Sequence, residues 1–284
     1  MKSNDLKKLL ELNASIILIS SAGVLVRYIE LSPVLIAFWR GLLGVLLLGA
    51  FAYFKKSSFK INNKKDMQRL LLSSALFGAH WFTYFYALQV SSVAVGMLSL
   101  FTYPAITTLL EPLYFKTKFN KRHIILALIV LFGLYIMSPD IDFSSDNTKG
   151  IISGVLSAVL YALRNLTMKS NTNKYDSSVL MFYQFLFITV VFSPFLWTHE
   201  THNTLSFFPY ILILGIFTTA IGHTLFIRSF KNFNISTASI IASSQPVFGI
   251  LLGVLFLSEI PNFNNILGGT LILSTVFIES FSKN

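Results

Sequence analysis

The stretch Ser92–Lys118, SVAVGMLSLFTYPAITTLLEPLYFKTK, decides the fold class of this chain. It is a long apolar run that begins with small residues, is interrupted by Pro104 and ends among lysines. A proline inside a helix in water costs about 3 kcal/mol, whereas a membrane helix tolerates one where neighbouring helices or a cavity satisfy the backbone. The stretch therefore predicts a transmembrane helix with an irregular centre.

A second stretch repeats this pattern in the other half of the chain. From Ile235 to Glu259 the sequence reads ISTASIIASSQPVFGILLGVLFLSE, again with small residues first and a proline within the run. Pro246 follows Pro104 by 142 residues (246 − 104), which is half of the 284 residues. We interpret the chain as two related halves whose proline helices face each other near the middle.

The composition indicates that this fold lies in a lipid bilayer. Hydrophobic residues make up 54% of the chain and charged residues 12%, whereas a soluble domain carries about a quarter charged residues. The net charge of +10 does not indicate nucleic acid, because the basic residues form short clusters between apolar runs, without a basic face interleaved with aromatics. The absence of cysteine excludes disulfide and thiol chemistry.

Ten segments are apolar and long enough to cross a hydrocarbon core of about 30 Å. They are 9–29, 33–54, 69–89, 93–115, 122–139, 150–170, 177–198, 207–230, 235–258 and 264–281. The predicted fold is an all-α integral membrane protein with ten transmembrane helices. We expect a first five-helix repeat at 1–139, a linker loop at 140–149 and a second five-helix repeat at 150–284.

The distribution of lysine and arginine predicts the orientation. With the N-terminus inside, the cytoplasmic segments hold seventeen Lys and Arg residues, and the outer loops hold only Lys149. By the positive-inside rule, both termini are cytoplasmic. We expect a multi-pass protein of the inner (cytoplasmic) membrane. Because five helices per half is an odd number, the second half must insert upside down, as in many secondary transporters with inverted repeats.

The second half also carries a family signature. Pro246–Glu259, PVFGILLGVLFLSE, followed by GGTLIL at 268–273, resembles the EamA-type permeases of the drug/metabolite transporter superfamily. Glu259 is the thirteenth residue after the proline, as in that family, whereas the first half has Thr117 at this place and an acid at Glu111. The resemblance implies a central cavity lined mainly by helices 1, 3, 4, 6, 8 and 9, and alternating access across the inner membrane. It specifies no substrate.

The fourth predicted helix has one polar face. Its members recur every three or four residues and are Gly96, Ser99, Tyr103, Thr107 and Glu111. Such a face forms either a tight helix–helix seam or a cavity wall. Because Pro104 lies in the same stripe, we favour the wall, since irregular backbone at membrane depth usually lines a cavity.

Glu111 and Arg40 are the charged residues that most need an explanation. An ionised acid in the bilayer must be paired, protonated or near water. Glu111 therefore either forms a salt bridge, to Arg164 or Arg228, or acts as a gating or proton-coupling residue. Arg40 either snorkels to the outer headgroups or points inward to pair or to bind a carboxylate or another anionic group. Arg27 and Arg228 lie near helix ends and are expected to snorkel.

Two histidines lie near mid-membrane at nearly equivalent places in the two halves, His80 on the third helix and His223 on the eighth. Each either bonds a neighbour or lines the cavity. No HExxH-like spacing or carboxylate cluster accompanies them, so we expect no metal and no cofactor. The predicted substrate-binding residues are Arg40, His80, Tyr84, Ser99, Tyr103, Tyr161, Arg164, His223 and Gln245. The predicted gate or coupling residues are Glu111, Pro104 and Pro246.

These features predict a secondary transporter, an exporter, of small polar or amphiphilic metabolites such as amino acids. Its partners are the lipid bilayer and a small-molecule substrate, with no nucleic acid, and a monomer is compatible with the sequence. The chain has no P-loop and so no means of ATP hydrolysis. The alternatives are a carrier of another small organic anion or a nucleotide-like metabolite, a channel subunit or packing partner, and a membrane-embedded lipid-modifying enzyme. An enzyme would need a catalytic cluster, but Asp140, Asp142 and Asp146 have no partner histidine. We therefore expect no enzymatic activity.

Overall fold

The computed structural model describes residues 3–116, 122–137, 142–199, 204–242 and 244–281. Regular secondary structure in these ranges is entirely helical. Parts of five predicted features lie outside the described residues: Thr117 and Lys118 of the first proline stretch, residues 138–139 of the fifth predicted span, residues 140–141 of the linker, Ser243 of the second proline stretch, and residues 282–284 at the C-terminus.

The helices of the first half fall into five groups. They are α1 (Ser3–Ser20) with α2 (Ala22–Tyr28), α3 (Pro33–Phe54), α4 (Lys64–Val90), α5 (Val93–Leu100) with α6 (Tyr103–Phe115), and α7 (Arg122–Met137).

The helices of the second half follow the same order. They are α8 (Asp146–Thr172), α9 (Ser177–Phe192) with a 3₁₀ turn (Ser193–Leu196), α10 (Thr204–Ile213) with a π-helical segment (Leu214–His223) and α11 (Thr224–Ser229), α12 (Ile235–Ala242) with α13 (Gln245–Leu257), and α14 (Phe263–Phe281).

Six helical stretches in the described part of the chain are long and apolar enough to cross a membrane. They are Lys7–Tyr28, Pro33–Phe54, Val93–Phe115, Asp146–Thr172, Ser177–Leu196 and Thr204–Ser229. Each coincides with one of the ten predicted spans. The other four predicted spans correspond to α4, α7, the pair α12–α13, and α14, so the full number of ten stays a prediction.

Both central prolines begin a new helix. Pro104 is the second residue of α6 and Pro246 the second residue of α13. A proline in the first helical turn loses no hydrogen bond, because the amide at that place has no intrahelical acceptor. Each proline helix is therefore interrupted, and the residues before the two breaks, Thr102 and Ser244, have the same backbone angles (φ −73°, ψ −14°).

The repeat extends to the ends of these helices. Helices α6 and α13 have 13 residues each and end on a left-handed residue, Lys116 (φ 55°) in the first half and Ser258 (φ 55°) in the second. Matching helices pack on each other, α3 on α9 and α7 on α14. Other contacts are exchanged between the halves: α5 packs on α13 as α6 packs on α12, and α4 packs on α8 as α1 packs on the π segment. The packing between the two halves therefore consists of contacts that recur in pairs.

Small residues allow these helices to approach closely. A Cβ placed on Gly44 of α3 would lie 2.5 Å from Cδ2 of Phe185 on α9. On α13, Gly249 faces Met97 and Gly253 faces Val93, both on α5. The Gly249–Gly253 step is thus a packing surface.

A polar cluster joins the two halves at the start of α4. The carboxylate of Asp66, whose side chain is 3% exposed, accepts hydrogen bonds from Lys174 Nζ at 2.9 Å and from the Tyr175 hydroxyl at 3.0 Å. Arg69 Nη1 lies 3.4 Å away on the same helix. The hydrogen bond from Lys174 is the main reason that the pKa of Asp66 is lowered from its ordinary value.

This shift predicts a loss of stability in acid. A carboxyl whose pKa is lowered by folding stabilises the folded state above the unfolded pKa of about 3.9, and that contribution is lost as the pH falls through the folded pKa. We expect the melting temperature in detergent to drop between about pH 5 and pH 3, and to drop less in Asp66→Asn. An equal drop in both proteins would contradict this assignment.

Candidate functional site

A small cavity lies between the two halves, where the interrupted helices meet. Its volume is about 30 Å³, which is room for a water-sized molecule. Helices α1 to α6, α8, α13 and the π segment line it, together with Phe101 between α5 and α6. Seven of the nine predicted substrate-binding residues are in its wall: Arg40, His80, Tyr84, Tyr103, Tyr161, His223 and Gln245.

Arg40 points inward rather than towards the headgroups. It is 1% exposed. Its Nε donates to Thr219 Oγ1 at 2.9 Å and its Nη2 to Thr218 Oγ1 at 3.0 Å, both on the π segment. The guanidinium carbon lies 4.3 Å from the ring centre of Trp81, a distance at which cation–π attraction is effective.

The charge of Arg40 is not neutralised by an acidic side chain within the described ranges. None of the ion pairs found there involves Arg40. Its Nη1 bonds to no described acceptor either. A buried cation held only by hydroxyls and aromatic rings is costly to keep, so an anionic group in the cavity would be strongly favoured.

His80 connects the two halves through Ser157 of α8. Its Nδ1 lies 2.7 Å from Ser157 Oγ and 3.3 Å from the Ser157 carbonyl oxygen, and the Ser157 hydroxyl donates to the His80 carbonyl at 3.0 Å. In the tautomer protonated at Nδ1, the ring donates to Ser157 and the Ser157 hydroxyl donates to the His80 carbonyl, so that the neutral ring keeps Nε2 as an acceptor.

Aromatic rings surround both histidines. Tyr161 stacks on His80 with ring centres 4.5 Å apart, and Tyr84 stacks at 6.0 Å. His223 meets the edge of Phe77 at 5.2 Å, and Phe77 also stacks on His80 at 5.9 Å. The two predicted histidines therefore share Phe77 as a neighbour.

Tyr103 and Gln245 occupy equivalent places. Each is the first residue of its proline helix, and they are 142 residues apart (245 − 103). Both are buried and line the cavity. The prolines that follow them set the helix starts, so Pro104 and Pro246 act on the cavity by positioning these two side chains.

Arg164 is buried beside the cavity but does not line it. Its Nη2 donates to Gln184 Oε1 at 2.5 Å and its Nη1 to Asn165 Oδ1 at 3.0 Å, and its guanidinium carbon lies 4.1 Å from the ring centre of Phe77. Gln184 in turn donates to Ser73 Oγ at 2.8 Å. These contacts place Arg164 in a hydrogen-bonded link between α8, α9 and α4.

Ser99 and Glu111 also lie away from the cavity. A Cβ on Gly154 of α8 would lie 2.5 Å from the Ser99 Cβ, so Ser99 belongs to the seam between α5 and α8. Glu111 lies within electrostatic range of Lys169. Arg228, which the sequence offered as a partner for Glu111, pairs instead with Glu11 at 3.0 Å.

Several residues of the site were not predicted. Trp81 and Met97 line the cavity, and Thr218 and Thr219 hold Arg40. The 142-residue register places His223 over Trp81, which was a usable signal for Trp81. The threonines carried no signal, because they depend on the π-helical turn that brings two consecutive hydroxyls to Arg40.

A larger groove of about 730 Å³ lies between α3 and the π segment. It contains Lys55, Asp176 and Arg228 at one end and apolar side chains along the rest, but none of the predicted substrate-binding residues. Ala220 in the groove and His223 in the cavity belong to the same π segment. Because polar side chains from both halves converge on the cavity, we take the cavity, rather than the larger groove, as the candidate site.

Comparisons with known proteins agree with this architecture. A solved crystal structure superposes with a TM-score of 0.74 at 15% identity and covers 97% of both chains, which shows the shared fold. The pseudopaline exporter CntI of Pseudomonas aeruginosa is 23% identical over 249 residues, covering 87% of this chain and 86% of the exporter. An uncharacterized transporter of Helicobacter pylori is 26% identical over 265 residues, covering 90% and 87%.

The family assignment rests on both halves of the chain. The model of the EamA-like transporter family matches residues 9–138 and, separately, residues 148–281. The resemblance to EamA-type permeases of the drug/metabolite transporter superfamily is thereby confirmed. This chain belongs to the EamA-like transporter family.

Proposed function

We propose that this membrane transporter is a secondary carrier that exports small polar or amphiphilic metabolites bearing a carboxylate, such as amino acids. The observation that supports this most is Arg40, a buried cation in the cavity wall without a carboxylate among the described residues within 4.0 Å. The planar guanidinium is suited to a carboxylate. Nη1 is the nitrogen available to receive it.

The proposed mechanism is alternating access between two inverted five-helix repeats in the inner membrane, with both termini in the cytoplasm. The reciprocal packing of matching helices and the seventeen-to-one distribution of basic residues support this arrangement. Sites for small ligands have about 300–1,000 Å³, whereas the cavity has about 30 Å³. The cavity is therefore occluded, and its walls must separate to admit a metabolite.

The direction of transport is proposed as export. The relative CntI is named as an exporter and matches most of this chain. The groove between α3 and the π segment reaches the predicted cytoplasmic end, where Lys55 and Arg228 lie. A substrate from the cytoplasm could reach the π segment, and hence the cavity, along this groove.

A second substrate class, small organic anions without an amine, is favoured by a specific feature of the wall. Two buried arginines, Arg40 and Arg164, lie at or beside the cavity, and no described acid lines it. An ammonium group would find no carboxylate in the described wall, and would have only neutral acceptors such as the Gln245 side chain and the faces of the aromatic rings to contact. The two classes share the carboxylate and differ in the amine.

Counterflow in proteoliposomes tests both classes. The panel should contain radiolabelled amino acids, the same amino acids acetylated at the amine, and dicarboxylates. We expect saturable exchange for at least one carboxylated compound, and preference between the free and acetylated forms will identify the class. A panel without saturable exchange, using protein that melts cooperatively, would contradict the proposed function.

A further inference from the structure

Glu259 connects three helix ends above the cavity. Its Oε1 accepts a hydrogen bond from Arg27 Nε at 2.8 Å, and its Oε2 accepts one from the backbone N–H of Val93 at 2.8 Å. Arg27 Nη1 also donates to the carbonyl of Gln89 at 2.5 Å. We call these four residues the Glu259 tie. It joins the second half, at the end of α13, to α2, α4 and α5 of the first half.

The Glu259 tie lies directly over the wall of the cavity. Val93 begins α5, and Met97 lies one turn further along it, about 6 Å away. Met97 lines the cavity and is packed between Gly23 of α2 and Gly249 of α13. The helices that hold Met97 in place are thus the same helices whose ends the tie joins. If α2 separated from α13, the Glu259 tie and the packing around Met97 would be lost together.

The other half contains the equivalent set of residues at the opposite end. The 142-residue shift relates Arg27 to Lys169 of α8. Lys169 Nζ donates to the carbonyls of Phe230 and, at 2.9 Å, of Phe233, which follow α11. Glu111 of α6 lies within electrostatic range of Lys169. We call this set the Lys169 tie.

The two ties follow one plan. In each, a basic residue on the first helix group of a half bonds backbone carbonyl oxygen at the end of the third group of the same half or just beyond it. In each, an acid on the proline helix of the other half faces that basic residue. The 142-residue shift relates Glu259 to residue 117, and Glu111 lies six residues before that position. The acid of the first half is therefore displaced along the chain, whereas the basic residues Arg27 and Lys169 occupy equivalent positions.

We propose that the Glu259 tie and the Lys169 tie are the two gates of the carrier, and that transport breaks them in alternation. This inference rests on the proposed transport function. The occluded cavity lies between the two ties. The Glu259 tie joins the two halves by hydrogen bonds, and the Lys169 tie joins them where α6, which carries Glu111, packs on α8, which carries Lys169. A carrier can open at one end only if the tie there releases while the other holds the halves together.

The experiment uses the absence of native cysteine. A single cysteine replaces Met97, under the Glu259 tie, or Ser239, the residue equivalent to Met97 in the second half (97 + 142). The purified protein in lipid nanodiscs reacts with a water-soluble maleimide, and the labelling rate reports how accessible each cysteine is to water. No substrate is needed, so the result does not depend on the transport assay.

Loss of one tie should open only its own end. In the Met97→Cys background, Arg27→Gln and Glu259→Gln should each raise the labelling rate about tenfold, as a loss of 1.4 kcal/mol from the closed state would. In the Ser239→Cys background, Lys169→Gln and Glu111→Gln should do the same. Each pair should leave the rate at the other cysteine within about twofold.

Two controls separate gating from damage to the fold. Lys149→Gln removes an exposed ion pair, Lys149–Asp146 at 3.1 Å, and should change neither rate. The charge exchange Arg27→Glu with Glu259→Arg restores an ion pair and should slow labelling at Met97→Cys again. The proposal is overturned if Arg27→Gln and Glu259→Gln leave labelling unchanged, or if every tie variant raises labelling at both cysteines.

Discussion

Replacing Arg40 by glutamine is expected to abolish saturable transport of carboxylated substrates while the protein still folds. Arg40 is held by Thr218 and Thr219 and lies over Trp81, with no carboxylate partner among the described residues. Removing one member of a buried charge pair costs about 2–5 kcal/mol. We therefore expect substrate affinity to fall about 100-fold or more, measured by counterflow and by the substrate-induced rise in melting temperature.

Arg40→Lys provides the graded test. Lysine keeps the positive charge but loses the planar fork and the contact with the Trp81 face. We expect this variant to fall between wild type and Arg40→Gln, with affinity reduced about tenfold. A lysine variant as inactive as the glutamine variant would indicate that bidentate geometry is required, whereas full activity would indicate that only charge is needed.

Arg69→Gln is the matched control for loss of an arginine. Arg69 lies at the start of α4, outside the cavity wall, and its partner Asp66 keeps two stronger bonds, from Lys174 and Tyr175. We expect transport by this variant to stay within about threefold of wild type. If Arg40→Gln folds and transports as well as Arg69→Gln does, Arg40 does not bind the substrate.

The sequence was most informative where both halves carry the same signal. The prolines predicted two matching irregular helices, and the structure has two interrupted helices with the same lengths and the same backbone angles at the break. The sequence also predicted that Tyr103, His80 and Gln245 line one cavity, from the polar stripe of the fourth helix, the symmetric places of the histidines and the residue beside Pro246. All three are buried and line it, because the faces that carry them are opposed across the two halves.

Ser99 shows why periodicity alone could not delimit the site. The spacing places it on one face with Tyr103, but only if the helix continues unbroken between them. The break at Phe101 and Thr102 separates the face of α5 from the face of α6. Gly154 then leaves room for Ser99 in a seam with α8. Ser99 and Tyr103, which the spacing places on one face, therefore lie on two different surfaces.

Arg27 shows what depends on the arrangement of the halves. Its place near a helix end predicted snorkelling, but its side chain bonds Glu259, 232 residues further along the chain. Which acid meets which base across the two halves depends on how the halves dock. The sequence of each single helix does not specify that docking. Glu259 was recognised from its motif, and its partner became visible only in three dimensions.

Arg164→Met is expected to have a different effect from Arg40→Gln, because Arg164 binds protein groups. Its removal leaves Gln184 Oε1 and Asn165 Oδ1 buried without their donor. Each unsatisfied buried polar group costs about 1–3 kcal/mol. We expect a destabilisation of about 2–6 kcal/mol, seen as a marked drop in melting temperature and in the yield of folded protein.

A double variant distinguishes a structural role for Arg164 from a role in substrate binding. Arg164→Met with Gln184→Leu removes both the cation and its main acceptor, and such paired apolar replacement is often neutral for stability. We expect the double variant to recover about half of the melting temperature lost in the single variant, because Asn165 Oδ1 still lacks its donor. If the recovered protein transports with wild-type affinity, Arg164 is structural and Arg40 alone receives the carboxylate. If it folds but binds substrate about 100-fold more weakly, both arginines bind the anion, which would favour a dicarboxylate or another doubly charged substrate.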